Sequence, residues 1–126
     1  MKLRIKGNSL RFRVSPSEMR RLLDKGRIEE TIYLGSDDGE KLTYALEHTP
    51  HVPAAAVRYR HQEITAVVSS QDAQRWAVGQ DVGLYGESQS SHGPLEFAVE
   101  KDFACLDKSD AENADTFPNP NQGAIC

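Results

Sequence analysis

Two groups of side chains have types and spacings that could do chemistry. Lys2, Arg4, Lys6, Arg11 and Arg13 alternate with apolar residues on either side of Gly7-Asn8-Ser9. On two paired strands that alternation gathers five cations on one face, where they could hold phosphates or a nucleic-acid backbone. No aromatic side chain sits among them, because Phe12 alternates to the buried side, and this disfavours stacking on single-stranded nucleic acid. The plainer alternative is a solvated face, or one covered by the chain's own acids at Glu100, Asp102, Asp107, Asp110, Glu112 and Asp115. Opposite charges of this density find each other within one chain or between two copies, so a protein partner or self-association ranks ahead of nucleic acid.

His48, His51, Asp102 and Cys105 form the second group. Imidazole, thiolate and carboxylate are all ligands for a transition metal such as zinc. None of them has a zinc-finger spacing partner, and a thiol in Phe-Ala-Cys-Leu serves more often as a small hydrophobe. Cys105 as a nucleophile would need a base from among His48, His51, His61 and His92, and the last two fall in turns. The chain contains no G-x-S-x-G, H-E-x-x-H, phosphate loop or dinucleotide fingerprint. The run Asp107 to Asp115 lacks the glycine and spacing of a calcium loop. No cofactor is therefore expected, a metal or thiol site being the alternative, and no catalytic residue stands out. Glu30 is the one acid on a face otherwise read as buried; a bulge or an ion pair with Arg27 or a neighbouring Arg explains it most simply.

The elements that position these residues occur twice. Leu3 to Lys6 matches Val57 to Arg60, Leu10 to Ser15 matches Ile64 to Ser69, Met19, Leu22 and Leu23 match Ala73, Trp76 and Ala77, and Ile28 matches Val82, all 54 residues apart. Leu42 to Glu47 then matches Leu95 to Glu100 at a spacing of 53. Each copy reads ββαββ. Period-2 alternation gives the hairpins. Ser15-Pro16-Ser17-Glu18 is a capping box with proline at the first helical position, and Gly26 supplies a left-handed stop. Ser36-Asp37-Asp38-Gly39 marks a turn. In the second copy a hairpin turns at His61-Gln62, a helix carries Trp76 and ends at Gly79, and a loop is expected over Glu87 to Pro94. By the repeat, His48 and His51 correspond to Asp102 and Cys105, and Glu30 to Leu84.

The expected fold is a single α+β domain over residues 1–126: repeat 1 over 1–48, connector 49–54, repeat 2 over 55–101 and an irregular C-terminal strap over 102–126. The two repeats should pack about a pseudo-twofold axis as a small barrel-like or sandwich sheet with two short helices. Trp76, the larger mate of Leu22, belongs in the core, with its indole N–H in need of an acceptor.

At 126 residues, 38% hydrophobic and 27% charged, the chain can bury a real core. Its longest apolar run, Ala54 to Val57, is far too short for a membrane span or a signal-peptide core. Two cysteines make no disulfide framework, so a cytoplasmic setting with free thiols is expected. The net charge of −4 conceals a gradient, since residues 1–27 hold nine basic and two acidic side chains.

At LRIKGNSLRFRVS, GRIEETI, LTYALEH, EKDFACL and ENADTFPNP the chain resembles a family of short uncharacterised bacterial proteins, a domain of unknown function with KDFACL and FPNP motifs. The resemblance covers nearly the whole chain. It implies a bacterial cytosolic protein and carries no activity, ligand or catalytic residue with it. The reading that follows is a non-enzymatic binding or accessory module that uses the basic hairpin face and the adjoining strap.

Overall fold

The computed structural model of the protein describes residues 1–104, 109 and 113–120. The chain runs β1 (Lys2–Lys6), β2 (Ser9–Val14), α1 (Pro16–Lys25), β3 (Arg27–Tyr33), β4 (Lys41–Thr49), then β5 (Ala56–Arg60), β6 (Glu63–Ser69), α2 (Ser70–Val78), β7 (Gly83–Ser90) and β8 (Gly93–Lys101). It is an α+β fold of two ββαββ repeats. Among the described residues no helix is long and apolar enough to cross a membrane.

Local signals set the element ends. Glu18 N–H donates to the Ser15 hydroxyl at 3.3 Å, and Ser15 N–H donates back to the Glu18 carboxylate at 2.9 Å, which completes the capping box. Gly26 ends α1 in the left-handed region at φ 84°, where a Cβ is costly. A helix of 10 residues is marginal alone, so docking of Met19 and Leu22 holds it. In α2, Trp76 is fully buried and its indole donates to the Val82 carbonyl at 3.2 Å, the acceptor the sequence required.

The repeats do not each build their own sheet. Sheet A has the order β1-β2-β8-β7 and sheet B the order β3-β4-β6-β5, so each takes one hairpin from each repeat. The two hairpins of a sheet join through a central parallel pair, β2 with β8 and β4 with β6. The pseudo-twofold therefore exchanges the sheets. Leu10, Phe12, Phe97 and Val99 from sheet A, and Leu46, Ala66 and Ile28 from sheet B, share one core with Met19, Leu22 and Trp76. Burying each large side chain there stabilises by roughly 1.5–3 kcal/mol. Neither sheet closes into a barrel.

The ladders correct three correspondences. Ile28 pairs with Leu46 where Leu84 pairs with Val99, so Ile28 is matched by Leu84 rather than by Val82. Glu30, opposite Tyr44, is matched by Gly86, opposite Phe97, and not by Leu84. Val14 pairs with Lys101 and Val68 with His48, which makes Lys101 the counterpart of His48 in place of Asp102. The cause is loop length. Residues 79–82 link α2 to β7 where Gly26 alone links α1 to β3, and residues 34–40 of the first copy face the two-residue turn Ser91-His92 of the second.

The loop expected over Glu87 to Pro94 is mostly strand, paired from Gly83↔Glu100 out to Ser90↔Gly93. Its polar sequence suits an edge strand that faces water. Conversely, alternation would turn Ile5, Tyr59 and Ile32 toward the core, yet all three are exposed, because they lie on the edge strands β1, β5 and β3. In the strap, Phe103 bridges to Phe117, Asp102 N–H donates to the Val14 carbonyl at 2.8 Å, and Lys101 Nζ lies 5.4 Å from the Phe117 ring centre.

Candidate functional site

The parallel pairing of β2 with β8 brings the basic hairpin beside a hairpin of opposite character. Across the outer face of sheet A run Lys6, Ser9, Glu96 and Glu87 in one row, and Arg4, Arg11, Ala98 and Tyr85 in the next. A third row holds Lys2, Arg13, Glu100 and Gly83. Cations thus occupy β1 and β2, and acids occupy β8 and β7. Side chains two apart on a strand share a face, so this layout follows from the register alone.

Between the two sides lies a cleft of about 820 Å³, bounded by Arg4, Lys6, Arg11, Tyr85, Glu87 and Glu96, with Ala98 on its floor. Tyr85 stands 62% exposed beside it. Its hydroxyl donates to Glu100 Oε2 at 3.0 Å, and Arg11 Nε sits 3.1 Å from Glu100 Oε1. Burial, then the Glu100 carboxylate, push the phenol pKa up, so Tyr85 stays protonated as a donor and offers no base. Ser9 Oγ is engaged with the Lys6 carbonyl at 2.6 Å. No histidine lines the cleft among the described residues. The arrangement sets cations, carboxylates and an exposed aromatic ring around one cleft.

Lys2 forms an ion pair with the start of the strap, through Asp102 Oδ2 at 2.9 Å. Arg4, Lys6 and Arg13 make no ion pair among the described residues. Arg4 and Arg11 are direct cross-strand neighbours, and like charges so placed destabilise a sheet. The strap's Asp115 goes elsewhere: its carboxylate accepts from Ser17 Oγ at 2.5 Å at the start of α1, where hydrogen bonds from Ser17, with Ser15 and the Arg20 charge, lower its pKa.

Sheet B carries the same face in another state. Arg27 reaches Glu63 at 2.5 Å, Glu47 at 3.0 Å and Glu29 at 3.2 Å, and Arg58 reaches Glu47 at 3.5 Å. Burial works against the Arg27 charge, but the hydrogen bonds it donates to Glu63, Glu29 and Glu47 outweigh it and raise its pKa. The hydrogen bond from Arg27 lowers the Glu63 carboxyl in turn. By the ladders Gly83 is the counterpart of Arg27, Tyr85 of Glu29 and Ala98 of Ala45. A glycine therefore stands where sheet B has its central cation.

The second group of candidate residues is spread out. His48 lies near the end of β4 with Nδ1 2.8 Å from Ser70 Oγ, and Asp102 follows β8 in contact with Lys2. His51 is exposed in the connector, and Cys105 lies outside the described residues. Among the described residues no three His, Cys, Asp or Glu side chains gather as a metal would need. Glu30 accepts from the Tyr44 hydroxyl at 3.0 Å and lies 3.3 Å from the Met1 ammonium, while Arg27 is on the opposite face.

The sequence reading missed Tyr85, Glu87, Glu96 and Ala98. The alternation of Leu84, Gly86 and Ser88 with Tyr85, Glu87 and Gln89 was the signal for β7, but nothing local says that β8 lies beside β2. No curated protein and no solved structure matches the chain. A family model does, described as a family of unknown function (DUF7009), and because it spans residues 1–121 the chain belongs to that family.

Proposed function

We propose that the protein is a non-enzymatic binding or accessory module of the bacterial cytoplasm, with the outer face of sheet A as its binding surface. The observation that carries this reading is the inequality of two equivalent faces. Arg27 and Arg58 of sheet B are tied to carboxylates of the same sheet, whereas Arg4 and Lys6 lie beside an open cleft without such partners among the described residues. Keeping like charges adjacent costs stability, and a partner that neutralises them recovers it. The resemblance to short bacterial proteins and a cysteine content too small for a disulfide framework support the location.

The test is site-specific photo-crosslinking in cells with the probe at Tyr85, and at its counterpart Glu29 as the internal control. A discrete adduct from Tyr85 and none from Glu29 is the expected result. No adduct from Tyr85 would overturn the reading.

A further inference from the structure

We infer that the partner of the sheet A face is a second copy of this chain, docked face to face about a twofold axis that runs along the strands. The inference rests on the reading of that face as a binding surface and names its occupant. Charge is divided across the strands, with Arg4, Lys6 and Arg11 on the β1-β2 side and Glu87 and Glu96 on the β7-β8 side. A twofold along the strands, between β2 and β8, sets β1 over the partner's β7 and β2 over its β8, and keeps each row in place. Lys6 of each copy then meets Glu87 of the other, twice by symmetry. Arg4 meets the Tyr85 ring, a cation over an aromatic face. Arg11, a long side chain, meets Ala98, the smallest on the cleft floor, so size is complementary as well as charge.

Other pairings fail on the same residues. A twofold across the strands stacks β1 on β1 and opposes cations to cations, at a cost of several kcal/mol. Sheet B cannot supply an equivalent pair, because Thr31 and Thr43 stand at the counterparts of Glu87 and Glu96, and Glu29, Glu47 and Glu63 already gather on Arg27 within the chain. An interface built on exposed charges is sensitive to salt, since the screening length falls to about 3 Å at 1 M.

Sedimentation velocity on the whole chain tests this, at low salt and at about 0.5 M, with concentrations up to about 100 μM. Wild type is expected to dimerise at low salt and to dissociate as salt rises. Lys6→Glu and Glu87→Lys should each weaken the dimer at least about 10-fold, as like charges then oppose twice. An equimolar mixture of the two variants, or the double variant, should dimerise again, because every opposed pair is once more of opposite sign. Arg60→Glu, at the sheet B counterpart of Lys6, should leave the dimer unchanged. Monomeric wild type, dimers indifferent to either reversal, or no rescue in the mixture would each overturn the inference. The Tyr85 crosslink separates this failure from that of the binding reading. An adduct at twice the chain mass supports self-association, and an adduct of any other mass sinks it while the binding surface stands. No adduct sinks both.

Discussion

The outer faces of the two sheets are built on the same ladder and have reached opposite states. On sheet B one guanidinium, 28% exposed, ties three carboxylates together. On sheet A its place is taken by Gly83, and a side chain there would bring Cβ to 2.5 Å from the Val99 carbonyl. The difference lies in the backbone as well as in residue choice. A duplicated fold thus provides two equal platforms; one gathers three carboxylates on a single guanidinium, and the other leaves Arg4, Lys6 and Arg13 without an ion pair among the described residues.

Moving the closing arginine across the axis is the harshest way to break the comparison. Gly83→Arg should destabilise by about 3 kcal/mol through the clash with the Val99 carbonyl, read by urea denaturation. A loss near zero would mean that the opening of sheet A is a matter of sequence alone. Arg27→Ala should cost about 2 kcal/mol, because three carboxylates are left clustered without their cation. Arg11→Ala, an exposed partner on the other sheet, should cost about 0.5 kcal/mol or less. Equal losses would erase the distinction between a closed and an open face.

Acid sharpens it further. Arg27 lowers the Glu63 pKa in the folded chain, so the stabilisation is fully present above the ordinary value of 4.5 and is lost as pH falls through the lowered one. Stability should therefore drop on the acid side of 4.5, and Glu63→Gln should flatten that limb of the melting-temperature profile. An unchanged profile would remove Glu63 from the account. The hairpin turns offer a gentler contrast. Gly7 turns β1 into β2 at φ 54°, while at the matching turn of β5 into β6 His61 and Gln62 take φ 51° and 63°, where side chains are strained. His61→Asn with Gln62→Gly should gain about 1 kcal/mol, and a loss would mean that the histidine has an unseen role. Smallest of all, a chelator should leave the melting temperature unchanged; a fall that zinc reverses, and that Cys105→Ala abolishes, would restore the metal reading of Cys105 with His48 or His51.

Patterns that act over a few residues were legible in the chain. The capping box at Ser15, the stop at Gly26, the hairpin turns at Gly7 and His61 and the burial of Trp76 all follow from alternation and spacing, and the duplication itself was visible. What alternation cannot say is which hairpins share a sheet. The parallel contact of β2 with β8 joins residues far apart in sequence, and the cleft exists only because of it. Hence Arg4, Lys6 and Arg11 could be read as a basic face, but Tyr85, Glu87 and Glu96 could not be set beside them. Loops that differ in length between the copies displaced Glu30 and His48 from their true counterparts, and with His48 the expected correspondence to Asp102.

The central parallel ladders also govern the order in which the protein can be made. β2 emerges early in synthesis, yet its neighbour β8 spans Gly93–Lys101, so the first hairpin must wait with one edge unsatisfied until the second repeat has been translated. Sheet B can assemble sooner, since β4 meets β6 across a short connector. The face with the open cleft is in consequence the last to form on a nascent chain, and any partner of that face can meet only a molecule whose folding is already finished.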